Sequence, residues 1–419
     1  MIIVDGLGDR PTSIFAGATP LEAAHTPNLD RLVTHGLCGQ MDPFIPGLPV
    51  STHTGTGLLM GLAPKDAYQL ARGPIEAMGI DMPMQLGDVS LRANFATLER
   101  EGEGLKILDR RAGRIQQDAQ ELAAVLQNVG LDHGITAAVQ PATQHRAVLR
   151  LSGPRLSAAI SDTDPGDVAC LAHVLTSHPL DENESSASNT AEAVNAFVQE
   201  AFERLREHPV NQQRRTSGLL PATGIITRGA GMLCNVDNLL DHLQIRVAVV
   251  ASESTILGLT KLFQFTAITD SRFTALPNTD LKAKVDAACA ALKENDLVFL
   301  HVKGVDSCGH DKDPQGKKTM IERIDDAIVS LPDDELVIGV CADHCTDSSI
   351  GCHSGDPVPV ILWATHGRRD ACRSYGETEC MRGGLGRISA TTFLLSLLDL
   401  MTRLENYRVT DLPFLRSGP

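Results

Sequence analysis

The sequence predicts an α/β fold: a doubly wound sheet flanked by helices, with a smaller inserted α+β domain. Three observations carry this expectation. Short β-branched or apolar runs bounded by turn residues recur along the chain. Several are followed by helix-length amphipathic segments, the alternation of a parallel sheet flanked by helices. Between residues 82 and 168 the alternation gives way to short strand-like pieces, which mark an insertion into a catalytic domain formed by 1–81 and 169–419. At 419 residues the chain is long enough for two cores.

Taken in order, the first strand is the Ile-Ile-Val run at 2–4, closed by Asp5 and Gly6, where a glycine permits a tight turn beside a carboxylate. A Ser/Thr-rich loop at 46–57 leads into a helix from Leu58. Within the insert, 116–127 has the character of a helix and 147–151 that of a strand, and the Ser/Asn/Glu-rich stretch 180–189 reads as a polar linker out of it. Helices at 190–206, 254–263, 279–294 and 317–330 then alternate with strands at 224–227, 246–250, 297–302, 336–341 and 358–362.

The charge sum, 37 Lys and Arg against 52 Asp and Glu, is −15 and is spread along the chain, so there is no basic footprint for nucleic acid or anionic lipid. The start lacks a basic n-region and reaches Asp5 after three apolar residues, and the apolar stretch 391–401 is too short to span a bilayer. No membrane association is expected. Ten cysteines are scattered without a CxxC pair, the pattern of reduced thiols, and the expected compartment is the cytoplasm.

Open α/β sheets bind ligands at the carboxyl ends of their strands. Three predicted strands deliver Asp or His there: the first ends in Asp5, that at 297–302 runs on to Asp306 and His310, and that at 336–341 ends in Asp343 and His344, with His353 nine residues on. Asp and His are good ligands for hard or borderline divalent ions. Their number exceeds the needs of one tetrahedral ion and suits two ions a few ångströms apart, the arrangement that clamps both oxygens in phosphoryl transfer. Hydroxyls for a nucleophile stand in the loop Pro46-Gly-Leu-Pro-Val-Ser51-Thr52-His53-Thr54-Gly-Thr56-Gly, just ahead of a helix N-terminus that favours an anion.

The segments Asp5-Gly-Leu-Gly-Asp-Arg-Pro11, Thr19-Pro-Leu-Glu-Ala-Ala24, Thr26-Pro-Asn-Leu-Asp30, Arg72-Gly-Pro-Ile-Glu-Ala-Met-Gly79, Asp109-Arg-Arg-Ala-Gly-Arg114, His208-Pro-Val-Asn211, Arg228-Gly-Ala-Gly231, His353-Ser-Gly-Asp-Pro-Val-Pro359 and Gly383-Gly-Leu-Gly-Arg387 resemble, in order, those of the archaeal-type cofactor-independent phosphoglycerate mutases of the alkaline phosphatase superfamily. The resemblance implies an alkaline-phosphatase-like domain with two divalent ions (Mn, Zn, Co or Mg), split by an insert that holds a small phosphorylated acid. It implies one metal held by Asp5, Asp343, His344 and the nucleophile, and another by Asp306, His310 and His353. A homo-oligomer is compatible with it.

In that family the nucleophile loop reads Gly-Ser-Asp-Thr-Ala-His. An ungapped count from Pro46 puts its serine on Thr52, its Asp on His53 and its His on Thr56. Threonine keeps the hydroxyl that a metal can deprotonate, and relatives in the superfamily that attack diesters or phosphonates use it. The resemblance therefore implies a phosphothreonine route between 3- and 2-phosphoglycerate. The alternative is a divergent phosphoryl or phosphonyl transferase or hydrolase acting on a diester or phosphonate, with Ser51 one residue from the assigned nucleophile. In the insert, Arg110 and Arg114, with His145 and Arg146, resemble the groups that hold glycerate and phosphate, as planar guanidinium forks suit such anions. Asp162 resembles the acid/base group for the sugar-acid hydroxyl.

Overall fold

The computed structural model describes residues 1–166, 173–332 and 336–404. The chain divides into two compact units, one formed by Met1–Tyr68 and Val236–Pro419, the other by Gln69–Asn235. The second unit is wider than the 82–168 expected from the sequence, and the expected 168/169 boundary lies outside the described residues.

The first unit is built on an eight-stranded sheet in the order Thr266–Ile268, Val247–Val250, Leu297–Val302, Ile2–Val4, Val337–Cys341, Val358–Ala364, Leu37–Asp42, Gly386–Ser389. Its central strands are apolar at nearly every position and buried throughout, because helices cover both faces and no alternating polar side is needed. One helical set comprises Pro27–Thr34, Leu281–Ala291 and Pro314–Ile328; the other comprises Thr52–Leu59, Ser254–Leu262 and Ala390–Leu400. The strands expected at 2–4, 246–250, 297–302, 336–341 and 358–362 all belong to this sheet. It is not wholly parallel, however: Val358–Ala364 runs against both neighbours. No crossover helix separates it from Val337–Cys341, only a loop carrying the two-stranded ribbon Cys345–Asp347 and Cys352–Ser354, so the chain returns in the opposite direction.

In the second unit, Val89–Glu101 pairs antiparallel with Gly104–Asp109, Arg146–Ser152 and Gly224–Met232. The last of these contains the strand expected at 224–227, which the sequence reading gave to the other domain. The helix Ser185–Leu205 likewise belongs here: Ala187, Ala191, Val194, Phe197, Ala201 and Leu205 sink into a core with Leu91, Phe95 and Leu149. Half of the expected linker 180–189 is thus the first turn of that helix. No helix among the described residues is long and apolar enough to cross a membrane.

Candidate active site

Three adjoining strands of the first unit carry the chemistry past their carboxyl ends. Val4 lies opposite Val302 and Ile3 opposite Cys341, so Asp5, Lys303 and Asp343 emerge side by side where the strand order switches. Gly6 follows with φ +66°. A Cβ there would meet Asp306 Oδ1 and Thr346 Oγ1 at 2.7 Å, so only glycine lets Asp306 close over the turn. Asp306 stands on the short helix Gly304–His310, which sets His310 one turn on along the same face.

Asp5, Asp306, Asp343 and His344 are wholly enclosed; His353 is partly open and His310 exposed. Two trios of donor atoms lie within 4.8 Å of one another, Asp306–His310–His353 and Asp5–Asp306–His344, and share Asp306. His310 Nε2 and His353 Nε2 are 3.2 Å apart, and lie 3.4 and 3.8 Å from Asp306 Oδ1. The Nδ1 atom of each ring is bonded to a backbone carbonyl, of Gly351 at 2.8 Å and of Val50 at 2.7 Å. A carbonyl requires a donor, so in a neutral ring each Nε2 would turn its lone pair inward. Two imidazole lone pairs and a carboxylate converging on one point fit a divalent cation. Asp343 is differently engaged: its oxygens accept from the Gly6 amide at 3.2 Å and from Thr56 Oγ1 at 3.1 Å, with His344 Nε2 at 3.6 Å.

The charges are balanced from within. Lys303 Nζ donates to Asp306 Oδ2 at 2.7 Å and to both Asp5 oxygens at 3.0 and 3.1 Å. Burial opposes the Asp5 carboxylate, but Lys303, His301 and His344 outweigh it and hold its carboxyl well below the usual range. Asp306 is held down in the same way against its burial, chiefly by Lys303. Burial and the charge of Asp5 push Asp343 up to about 6. Burial would lower His344, but Asp343, Asp5 and Asp306 raise it to about 9, whereas burial and the His344 charge take His353 down to about 3. The His353 ring, stacked on His344 with centroids 3.7 Å apart, is therefore the neutral member of the pair.

The helix Thr52–Leu59 begins beside these groups with Ser51 as its extended N-cap. Thr52 is buried, with Oγ1 3.3 Å from His344 Nε2 and 3.5 Å from Lys303 Nζ. Ser51 Oγ instead bonds His53 Nδ1 at 3.1 Å and Thr54 Oγ1 at 3.3 Å.

In the second unit, His145 is buried, and its desolvation together with the charges of Arg146, Arg111, Arg114 and Arg228 lowers it to about 3. Arg114 is exposed, at φ +58°, and Arg146 is half-buried. Arg110 grips Asp164 with both edges of its fork, at 2.9 and 2.7 Å. Asp162 accepts from the Gly229 amide at 2.8 Å, and its carboxyl is raised by burial.

The sequence reading did not assign Lys303, His301 and Thr346 in the first unit, or Arg228 and Asp164 in the second. The period-2 rule was the available signal for the first pair, since 301 and 303 share one face with a strand end between two carboxylates. Thr346 Oγ1 donates to Asp306 Oδ1 at 2.6 Å and reaches His344 Nδ1 at 3.2 Å, orienting both.

A family model described as 2,3-bisphosphoglycerate-independent phosphoglycerate mutase matches residues 34–211. The 2,3-bisphosphoglycerate-independent phosphoglycerate mutase of Methanopyrus kandleri is 40% identical, the alignment covering 97% of either chain. That of Archaeoglobus fulgidus is 41% identical over 96% of this chain and 97% of its own. Among solved structures, a protein from Pyrococcus horikoshii superposes with a TM-score of 0.79 at 31% identity, covering 97% of this chain and 98% of that one. The cofactor-independent phosphoglycerate mutase from Thermoplasma acidophilum superposes with 0.62 at 32% identity, covering 96% and 98%. Sequence identity over nearly the whole length and a shared fold lead to one assignment: this chain belongs to the 2,3-bisphosphoglycerate-independent phosphoglycerate mutase family.

Proposed function

We propose that the protein interconverts 3-phosphoglycerate and 2-phosphoglycerate through a phosphothreonine on Thr52. The observation that carries this reading is the position of Thr52 Oγ1, buried at a helix N-terminus within 3.3 Å of His344 and 3.5 Å of Lys303. Asp5, Asp343 and His344 are assigned to one divalent ion and Asp306, His310 and His353 to a second, drawn from Mn, Zn, Co or Mg. Such ions, when bound, lower the pKa of a hydroxyl and offset charge on phosphoryl oxygens. Thr52 Oγ forms the bond to phosphorus as the substrate's ester oxygen leaves and takes up a proton. Lys303 and the free N–H groups of the helix Thr52–Leu59 stabilise the charge on the transferred group. Asp162, whose raised carboxyl suits proton exchange, serves the glycerate hydroxyls, and the second hydroxyl then takes the phosphoryl group back from Thr52. Arg114, His145 and Arg146 are assigned to the acid's carboxylate and phosphate, and Arg110, first expected among them, to holding Asp164.

Incubating the metal-loaded protein with 3-phosphoglycerate tests this directly: 2-phosphoglycerate should accumulate without added bisphosphoglycerate. Its failure to appear under any of the four metals refutes the assignment. One feature favours a second reading, a phosphoryl or phosphonyl transferase or hydrolase acting on a diester or phosphonate. By the ungapped count, Thr52, His53 and Thr56 stand where the resembling family's loop has Ser, Asp and His, and Thr56 donates to Asp343. Hydrolysis of bis-p-nitrophenyl phosphate faster than the monoester, with no mutase activity, would select it.

A further inference from the structure

We infer that Cys38, Cys372, Cys380 and Asp370 form a structural zinc site in the first unit, separate from the candidate active site. Cys38 lies on the strand Leu37–Asp42, next to the sheet edge, while the other three come from the stretch 365–385, whose only helix is the four-residue Glu377–Cys380. The Cys38 and Cys372 sulfurs and an Asp370 oxygen lie within 4.8 Å of one another, and Cys380, outside that trio, neighbours the Cys38 thiol. All three thiols are buried, and Asp370 is half-open to solvent, which gives an ion a way in.

The surroundings are organised as an outer shell. Asp370 Oδ2 accepts from the amides of Cys38 at 2.8 Å and Gly384 at 2.7 Å, and Oδ1 from that of Cys372 at 2.9 Å. This fixes the carboxylate and leaves Oδ1 a lone pair. Gly383 is pressed so closely on the strand that a Cβ would meet the Cys38 carbonyl oxygen at 2.1 Å, and the Leu385 amide bonds that same oxygen at 2.9 Å. With Zn–S bonds of about 2.3 Å, tetrahedral ligands stand about 3.8 Å apart, within reach of small rotamer shifts for Cys38, Cys372 and Asp370, whereas Cys380 would have to turn in to complete the set. Three soft thiolates with one carboxylate select zinc over Mg or Mn. Binding converts the three thiols to thiolates and releases their protons; the Cys372 thiol then gives up its bond to the Glu379 carbonyl. The site would fasten a long, irregular excursion to the sheet at one point, a segment of a length that compact domains rarely leave unsupported.

Cobalt separates this site from the Asp/His centre, because only thiolate ligands give a near-ultraviolet charge-transfer band. The chelator-stripped full chain is titrated with Co(II) under reducing conditions. The wild type should develop the thiolate band, Cys38→Ser and Cys372→Ser should lose it, and Cys289→Ser should keep it. Zinc added to the cobalt form should abolish the band. Absence of the band in the wild type, which requires no variant to fold, overturns the proposal. So does its persistence in Cys38→Ser, and so does a Cys38–Cys380 disulfide recovered in place of metal from protein purified without reductant.

Discussion

Lys303→Met removes a buried charge that bonds both Asp5 and Asp306 while keeping most of the side chain's bulk. Lys303 Nζ lies 2.7 Å from Asp306 and 3.0 Å from Asp5, and its side chain is 9% exposed. At an effective dielectric of about 20, a unit pair at about 3 Å is worth roughly 5 kcal/mol before desolvation. Breaking a buried pair by deleting one partner costs about 3–5 kcal/mol net, because the remaining charge stays buried. At about 2–4 °C per kcal/mol for a domain of this size, the metal-free variant should melt on the order of 10 °C below the wild type. A divalent cation held by the same carboxylates supplies the missing charge, so saturating Mn or Zn should recover at least half of the loss. Differential scanning calorimetry of both proteins, with chelator and with metal, gives the four melting temperatures. An equal deficit in both conditions, or none with chelator, would refute the view that Lys303 and the metals offset the same carboxylates.

Thr52→Ala should lower turnover by a factor on the order of 10³ or more, equivalent to about 4 kcal/mol, against about 1 kcal/mol for the hydrogen bonds lost. Ser51→Ala should retain most activity and Thr52→Ser should remain active; acid-quench trapping and peptide mapping locate the phosphate, and finding it on Ser51 would reverse the assignment. Asp343→Asn and His353→Ala should lose metal while keeping the circular dichroism of the wild type, and full occupancy by mass spectrometry in both would remove these residues from the ligand set. In the second unit, Arg114→Ala should weaken use of phosphoglycerate and spare hydrolysis of a generic phosphate ester. Arg110→Ala should instead lower the melting temperature, since it leaves the buried Asp164 carboxylate without its bidentate partner. Equal melting temperatures for these two variants would show that Arg110 has been misassigned.

The strands at 2–4, 246–250, 297–302, 336–341 and 358–362 were legible because burial on both faces turns them into nearly unbroken apolar runs, and the Asp and His residues that follow three of them had no packing reason to be there; Leu37–Asp42 and Thr266–Ile268, which lack such runs, were not found. Domain membership was not legible. The segments 185–205 and 224–232 look like any helix and strand of an α/β chain, and only the antiparallel register of Gly224–Met232 against Val89–Glu101 assigns them to the second unit. The edge strand Gly386–Ser389 was invisible for a different reason: it is short and mostly exposed, as edges often are, and carries no hydrophobic pattern.

The site divides along the same line. Each carboxylate could be found locally, but the lysine could not, because a lysine read alone belongs on the surface. What buries Lys303 is the order Leu297–Val302, Ile2–Val4, Val337–Cys341, which brings three carboxylates, more than 290 positions apart in sequence at the extremes, to one sheet end. Three enclosed carboxylates without cations would be prohibitively costly, so the arrangement requires internal positive charge before any ion binds. Lys303 provides it, together with His344, whose ring the surrounding carboxylates push toward the protonated form. The same two groups flank Thr52 Oγ1, so under the proposed mechanism the internal balance of charge would also stand beside the transferred phosphoryl group. The helix start also separates the adjacent hydroxyls: Ser51, extended at ψ 154°, directs its oxygen to His53 and Thr54, and Thr52, the first helical residue, directs its own to His344 and Lys303.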